Sequence, residues 1–422
     1  MRPSMPRRPS PTAVLVLILA AALASALALY LSLTTPSQVA GTAQAPPASR
    51  AAQGSPPLTE GRLRREAAAL LEAAGAVSVH VRVRDGRHAV DAGAGEAELG
   101  TGRAVPDGVH FRAASVTKSF MAATVLRLAA ERRLSLDDTV EHWLPGVVTG
   151  NGHDGSRVTL RHLLQHTSGL HDADSTEFTG RTAPEFERLR YERVGPERLI
   201  AAALRQAPRF PPAAPGDPSP RWSYSNTGYL LLGEVVRKAT GRPWEAELRD
   251  RIVRKLGLTG TSVPGDDPSL PEPYAHTYHR FAGSGGWTDT TVRAMAWAGP
   301  AGSLVSTSRD VDRFFTALLG GRLLPPRQLA AMRATVPVSA EHERYTPGMR
   351  YGLGLMRQPL GCGGHRWGHH GDLEGTMVRT GFTADGSRSV VIALSGRTTD
   401  ERQLLATERA LQGFVERMLC RS

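Results

Sequence analysis

Apolar and polar residues alternate strictly through Val77-Ser-Val-His-Val-Arg-Val83, the period of a half-buried strand. Asp85-Gly86 follows as a hairpin turn signal, and Ala89–Ala92 is read as the returning strand. Ahead of it, Leu63, Ala67, Leu70 and Leu71 recur at helical spacing within Leu58–Ala74. A strongly apolar stretch from Ser115 to about Leu134, with Phe120, Met121, Val125, Leu126 and Leu128, predicts a buried helix. Between 136 and 285 helical patches alternate with Pro- and Gly-rich loops: Val158–Leu164, Pro196–Arg205 and Thr227–Ala239. Strand patterns return at Met377–Phe382 and Ser389–Leu394 around the turn Ala384–Ser387, and a last helix covers about Thr399–Met418. Strands at both ends with helices between predict an α+β fold: an antiparallel β-sheet flanked by helices with an inserted all-helical lobe. The boundaries read as an α/β lobe at 58–135 and 286–422 and a helical lobe at 136–285.

The N-terminus follows another pattern. Arg2, Arg7 and Arg8 lie in a cytoplasmic segment, 1–12, before a run without charge from Ala13 to Leu33. Twenty-one residues at ~1.5 Å each span about a bilayer core. Positive charge ahead of the run places the remainder outside the cytoplasm. An uncleaved anchor and a signal peptide cut within Val39–Ala45 both fit, and both predict an extracytoplasmic body, anchored or secreted. Residues 34–57, rich in Pro, Ala, Gln and Ser, read as a flexible linker to a domain at 58–422.

Composition narrows the function. Of 422 residues, 41% are hydrophobic, enough for a full core. The net charge is +11, and four of those charges precede residue 57. Acids and bases are interspersed in the rest with no basic stripe among aromatics, which argues against nucleic acid as a partner. Cys362 and Cys420 sit in loop-like or terminal sequence, so a disulfide is expected in an oxidising compartment; the alternative is two unpaired thiols.

Only three lysines occur among 51 basic residues: Lys118, Lys238 and Lys255. Lys118 follows Ser115 by three, so on a helix both side chains share a face. A helix N-terminus and burial both lower the lysine pKa, and a neutral lysine can take the serine proton. Trp222-Ser-Tyr224-Ser-Asn226-Thr-Gly228 adds a phenol and an amide on one tight turn. The phenol can shuttle a proton if a nearby cation lowers its pKa, and the amide can bind a substrate carbonyl and Lys118. Taken alone, this turn reads equally well as a helix N-cap. Trp367-Gly-His369-His370-Gly371-Asp372 comes third, with Gly371 permitting close backbone approach and His369 offering a proton or hydrogen bond.

In this order the three motifs resemble the penicillin-recognising serine hydrolases, over about residues 60–420. The branch is that of class C β-lactamases, D-alanyl-D-alanine carboxypeptidases, D-aminopeptidases and related esterases. His162-Leu-Leu-Gln-His166-Thr-Ser-Gly-Leu170 and Gly299–Ser308 resemble the family too. The resemblance implies Ser115 as the acylated nucleophile and Lys118 with Tyr224 as the proton-transfer pair. It implies Asn226, His369, Gly371 and Asp372 as substrate-binding residues, with backbone N–H groups of Ser115 and Asp372 as the oxyanion hole. Deacylation then rests on Tyr224 or His369.

Two positions depart from the pattern. Where members that bind a substrate carboxylate often carry Thr and then a hydroxyl or small residue, this chain has His370 and Asp372. A substrate carboxylate would meet like charge at Asp372, unless a protonated His370 countered it. The expected function is therefore that of an exported serine hydrolase, D-alanyl-D-alanine carboxypeptidase-like or another D-amino-acid peptidase. A carboxylesterase or β-lactamase of the same fold, and a catalytically silent surface binding module, are the alternatives. The expected partner is a small peptide, amide or ester substrate, cell-wall peptide included. No cofactor is expected. A zinc site built on His162 and His166, or on His365, His369 and His370, is the weaker reading, since no HExxH or carboxylate-rich spacing accompanies them.

Overall fold

The computed structural model describes residues 58–172, 179–214 and 216–421. The cytoplasmic segment 1–12, the apolar run 13–33 and the linker 34–57 lie outside the described residues. By its internal contacts the chain divides into Met1–Gly54 and Ser55–Ser422, and every described residue belongs to the second unit. Among the described residues no helix is long and apolar enough to cross a membrane.

The strict alternation at 77–83 becomes the strand Ser78–Asp85, central to a ten-stranded antiparallel sheet. It pairs on one side with His88–Glu98, in register Val81 to Ala92, and on the other with Arg388–Ser395, in register Val81 to Ile392. Beyond Arg388–Ser395 come Thr376–Thr383, His365–Gly368 and Met356–Pro359. The returning hairpin strand is much longer than Ala89–Ala92, because Gly93 and Gly95 carry no side chain to reveal alternation.

The two faces of the sheet are covered differently. Val79, Val81, Val83, Ile392 and Leu394 pack on Leu63, Ala67 and Leu70 of the helix Glu60–Ala74 and on Phe414 and Val415 of the helix Glu401–Leu419. Thr59 caps the first of these helices, and Gly75 ends it in the left-handed conformation at φ +58°. The opposite face carries Val378, Phe382 and Val391 against Phe314, Phe315 and Leu318 of Ser308–Leu319. Behind that layer lies Thr117–Ala130, whose Phe120, Met121, Val125 and Leu126 are wholly buried. This helix starts after a 3₁₀ turn, Ala114–Val116, and stops at Ala130 rather than near Leu134, since Arg132 turns to φ +57°. Within 136–285 helices predominate, Asn226–Thr240 being the longest among the described residues, with a short ribbon Thr149–Gly150/His153–Asp154.

The third motif does not merely precede a strand. It is divided between two strands, His365–Gly368 and His370–Leu373, with His370–Leu373 pairing along Thr376–Thr383. Cys362 and Cys420 are disulfide-bonded, Cα atoms 5.7 Å apart, tying the loop after Met356–Pro359 to the end of the final helix.

Candidate active site

Ser115 sits on the 3₁₀ turn that feeds the buried helix. Ala114, just before it, holds φ +48°, an uncommon conformation for a residue with a side chain. Thr117 locks the turn: its Oγ1 donates to Ala114 O at 2.6 Å and accepts from Leu304 N at 3.1 Å. One helical turn on, Lys118 is wholly buried. Its Nζ lies 3.1 Å from Ser115 Oγ, 2.6 Å from Asn226 Oδ1 and 2.7 Å from Ala301 O. Burial lowers its pKa to about 7, and the charge of Asp172 opposes that fall.

With its pKa near 7, Lys118 is neutral above that pH, and in that form its three partners orient it. A neutral amine has two N–H bonds and one lone pair. Asn226 Oδ1 and Ala301 O are acceptors only, so each takes an N–H. The lone pair is left facing the Ser115 hydroxyl, the arrangement of a base beside the group it deprotonates.

Tyr224 hydrogen-bonds Ser115 through its side chain, and its ring lies 4.8 Å from Lys118 Nζ. The cation does not lower its pKa. Burial pushes the phenol well above its usual 10, with Asp172 adding to the rise, so Tyr224 keeps its proton. His166, at φ +64°, holds the turn around Tyr224: its carbonyl accepts from Ser223 N at 3.0 Å and its Nδ1 from Ser225 N at 3.2 Å. Its ring packs on Tyr224 at 4.4 Å between centroids.

Gly371 lies against the nucleophile's turn. A Cβ there would sit 2.4 Å from Ala113 O and 3.3 Å from Ser115 N. Asp372, the next residue, shares the cleft lining with Ser115. Its carboxylate meets Arg379 at 3.0 Å and Arg397 at 4.0 Å, and Arg379 also pairs with the buried Glu408 at 2.6 Å. The expected counter-charge from His370 is corrected: burial drives this histidine well below its usual pKa, so arginines neutralise Asp372 instead. His369 is corrected as well. It is fully buried and lines neither cavity of the cleft; its Nε2 meets Tyr351 OH at 2.8 Å, and burial lowers its pKa to about 3. It stands behind the cleft lining, against Tyr351.

The cleft opens on both sides of Ser115. A cavity of about 180 Å³ is walled by Leu199, Leu230, Trp297 and Ala301, with Asp372 and Arg397 at its rim. A larger one, about 390 Å³, runs past Tyr224, His342, Met349, His370 and Met377. Asn226 borders both. The histidines weighed as zinc ligands are engaged separately: His162 Nδ1 accepts from Thr159 N at 3.1 Å, while His166 serves the Tyr224 turn. Among the described residues no three His, Cys, Asp or Glu side chains stand together as metal ligands.

Sequence reasoning missed Asp172. It accepts from Asn226 N at 2.8 Å and from Asn226 Nδ2 at 2.9 Å, so the amide nitrogen expected to serve the substrate already has one partner. Asp172 lies six residues past His166, and its only signal in sequence is its charge close to a motif.

The Beta-lactamase family model matches residues 63–414. Penicillin-binding protein 4 of Amycolatopsis lactamdurans is 31% identical over 250 residues, 56% of this chain and 60% of that protein. Esterase EstB of Burkholderia gladioli is 35% identical over 195 residues, 44% of this chain and 45% of that one. The matched stretch thus spans less than two thirds of each of these curated relatives. Among solved structures, a D-stereospecific amidohydrolase from Streptomyces sp. is 37% identical, covers 82% of this chain and 98% of its own, and superposes with a TM-score of 0.71. The D-amino acid amidase of Ochrobactrum anthropi SV3, complexed with D-phenylalanine, is 25% identical, covering 85% and 99%, with a TM-score of 0.69.

Proposed function

We propose, from the premise that the chain belongs to the Beta-lactamase family and is a serine hydrolase of that fold, that it is an exported amidohydrolase acting on D-amino-acid amides or peptides through an acyl-enzyme on Ser115. The observation that carries this reading is the wholly buried Lys118, its Nζ 3.1 Å from Ser115 Oγ.

Ser115 Oγ attacks the carbonyl carbon as its proton passes to Lys118 Nζ. The developing oxyanion is received by the N–H groups of Ser115 and Asp372, where one such donor is typically worth ~10²–10³ in rate. The C–N bond then breaks, and the leaving nitrogen takes the proton from Lys118 through the Tyr224 hydroxyl. With Lys118 neutral again, the same pair removes a proton from water as its oxygen attacks the acyl carbon; the C–Oγ bond breaks, Ser115 Oγ takes that proton back from Lys118, and the acid leaves. His369, turned to Tyr351, takes no part in this path.

Asp372 decides among substrates. Its carboxylate already engages Arg379 and Arg397, so neither arginine is free to pair with a substrate carboxylate, and amides and peptides without charge there are favoured over a free C-terminal D-alanine or a β-lactam. The names of the Streptomyces and Ochrobactrum proteins agree with that preference. Esterase activity is the second reading, favoured by the likeness to EstB, since an ester also lacks that charge. Export is supported by Arg2, Arg7 and Arg8 before the apolar run and by the Cys362–Cys420 disulfide.

The test is a panel of D-phenylalanine amide, its L-enantiomer, a D-Ala-D-Ala peptide, a chromogenic β-lactam and p-nitrophenyl acetate, with intact-mass detection of adducts. Turnover of the D-amide above the others, lost in Ser115→Ala, is expected. Undiminished hydrolysis by Ser115→Ala would overturn the mechanism; preference for the D-Ala-D-Ala peptide, with its free carboxylate, would overturn the preference for substrates without charge beside Asp372.

A further inference from the structure

We propose that Asp172 is a positioning residue for this chemistry: by holding the Asn226 amide in one orientation, it forces the lone pair of Lys118 toward Ser115. The inference rests on the reading of Lys118 as the base for Ser115.

Donors and acceptors fix the orientation. Burial raises the pKa of Asp172 to about 6, so above that pH it is a carboxylate and only accepts hydrogen bonds. Asp172 Oδ1 accepts from the backbone N of Asn226 at 2.8 Å, and Oδ2 accepts from Nδ2 at 2.9 Å. The amide nitrogen is thereby drawn to Asp172, so Oδ1 of Asn226 is left facing Lys118 at 2.6 Å. Lys118 must answer with an N–H. Ala301 O takes a second N–H, and in the neutral amine the lone pair is left for Ser115, 3.1 Å away. Were the amide reversed, Nδ2 would face Lys118 and compete for the lone pair. Lys118 cannot itself dictate the orientation, because it can answer either end of the amide by changing which of its own sites faces it. The carboxylate of Asp172 has no such freedom.

Asp172 is well held for this task. It accepts from Asn226 N at the start of Asn226–Thr240 and also from the backbone of Thr227, while Ser225, at the N-cap position, makes no side-chain cap. A carboxylate from 54 residues away therefore caps the helix, where the helix dipole favours negative charge. It is also the charge that acts most on Lys118. The neighbouring His166 and His369 are kept neutral by burial, the phenols of Tyr224 and Tyr229 are pushed up and stay protonated, and Asp372 is neutralised by Arg379 and Arg397 across the cleft. Asp172 thus opposes the fall in the Lys118 pKa that burial causes.

The scarcity of lysine makes the test direct. With [ε-13C]lysine, the full-length chain gives three lysine signals, from Lys118 and from the exposed Lys238 and Lys255. In Asp172→Asn the titration midpoint of Lys118 should fall by about one pH unit, as an attracting charge is lost. Acylation of Ser115 by p-nitrophenyl acetate should slow about tenfold or more, because the amide is free to reverse. The exchanged pair Asp172→Asn/Asn226→Asp restores the pattern: the amide now at position 172 donates to the carboxylate now at position 226, which again faces Lys118 with an acceptor. It should recover acylation above a Lys118 midpoint that now exceeds the wild-type value. An unmoved Lys118 midpoint in Asp172→Asn, or slow acylation that the exchange does not rescue, overturns the proposal and leaves Asp172 a helix cap. Failure of the underlying reading shows separately, as an adduct that survives Ser115→Ala.

Discussion

At the scale of single residues, the proposed chemistry turns on the protonation of one amine. Burial lowers Lys118 to about 7, and only the neutral form can accept the Ser115 proton. The sign follows: kcat/KM rises with pH while Lys118 loses its proton and levels off above about 7. A rate profile from pH 5 to 9 checks this, and a plateau reached below pH 5 would remove Lys118 as the base. Lys118→Arg keeps the charge and loses the base, so acylation should fall by about 10³ or more, read as the rate of adduct formation. Ser115, Lys118, Tyr224 and Asn226 were legible in sequence, because the first two are one helical turn apart and the last two share one turn. Asp172 was not. Its role arises from a contact with Asn226 across 54 residues, and no local period marks such a contact. The neutral state of His370 was hidden for a related reason: it depends on burial and on Arg379, both products of tertiary packing.

At the scale of elements, legibility followed the pattern of apolar residues. Ser78–Asp85 was readable from its two-residue period and Arg388–Ser395 from its unbroken apolar run, Val390–Leu394; His365–Gly368 and His370–Leu373 are four residues each, interrupted by glycine, and were not. Yet the cleft depends on that unreadable pair. His370–Leu373 passes so close to the Ser115 turn that Gly371 has no room for a Cβ, the obstruction being the backbone carbonyl of Ala113. Backbone cannot rotate away as a flexible side chain would. In Gly371→Ala the strand must therefore shift outward, carrying Asp372 and the N–H proposed for the oxyanion hole away from the Ser115 turn. A displacement of about 1 Å at such a site costs on the order of 10² in rate. The expected outcome is a loss of kcat/KM of that size, with the fold retained by far-UV circular dichroism. An active Gly371→Ala would mean that this strand does not supply an oxyanion donor.

At the scale of the molecule, two features outside the cleft bear on where the enzyme works. The sheet is closed over by helices from opposite ends of the domain, Glu60–Ala74 and Glu401–Leu419, which share a core with Val81 and Ile392. The order of strands that makes this possible, with Ser78–Asp85 inserted beside Arg388–Ser395, has no signature in sequence, since it is set by which faces can be buried together. The Cys362–Cys420 bridge fastens the end of that last helix to the loop joining Met356–Pro359 and His365–Gly368, closing a loop of 58 residues. Loop-closure entropy gives such a bridge about 2–4 kcal/mol of stability, lost under reducing conditions. Cys362→Ser/Cys420→Ser should therefore lower the unfolding free energy in urea by that amount, with little change in kcat, because neither cysteine borders the cleft. The same bond tests export. Protein taken from its native compartment should resist alkylation until reduced, whereas two thiols alkylated at once would place the folded domain in a reducing compartment and set aside the exported reading of Arg2, Arg7, Arg8 and the apolar run behind them.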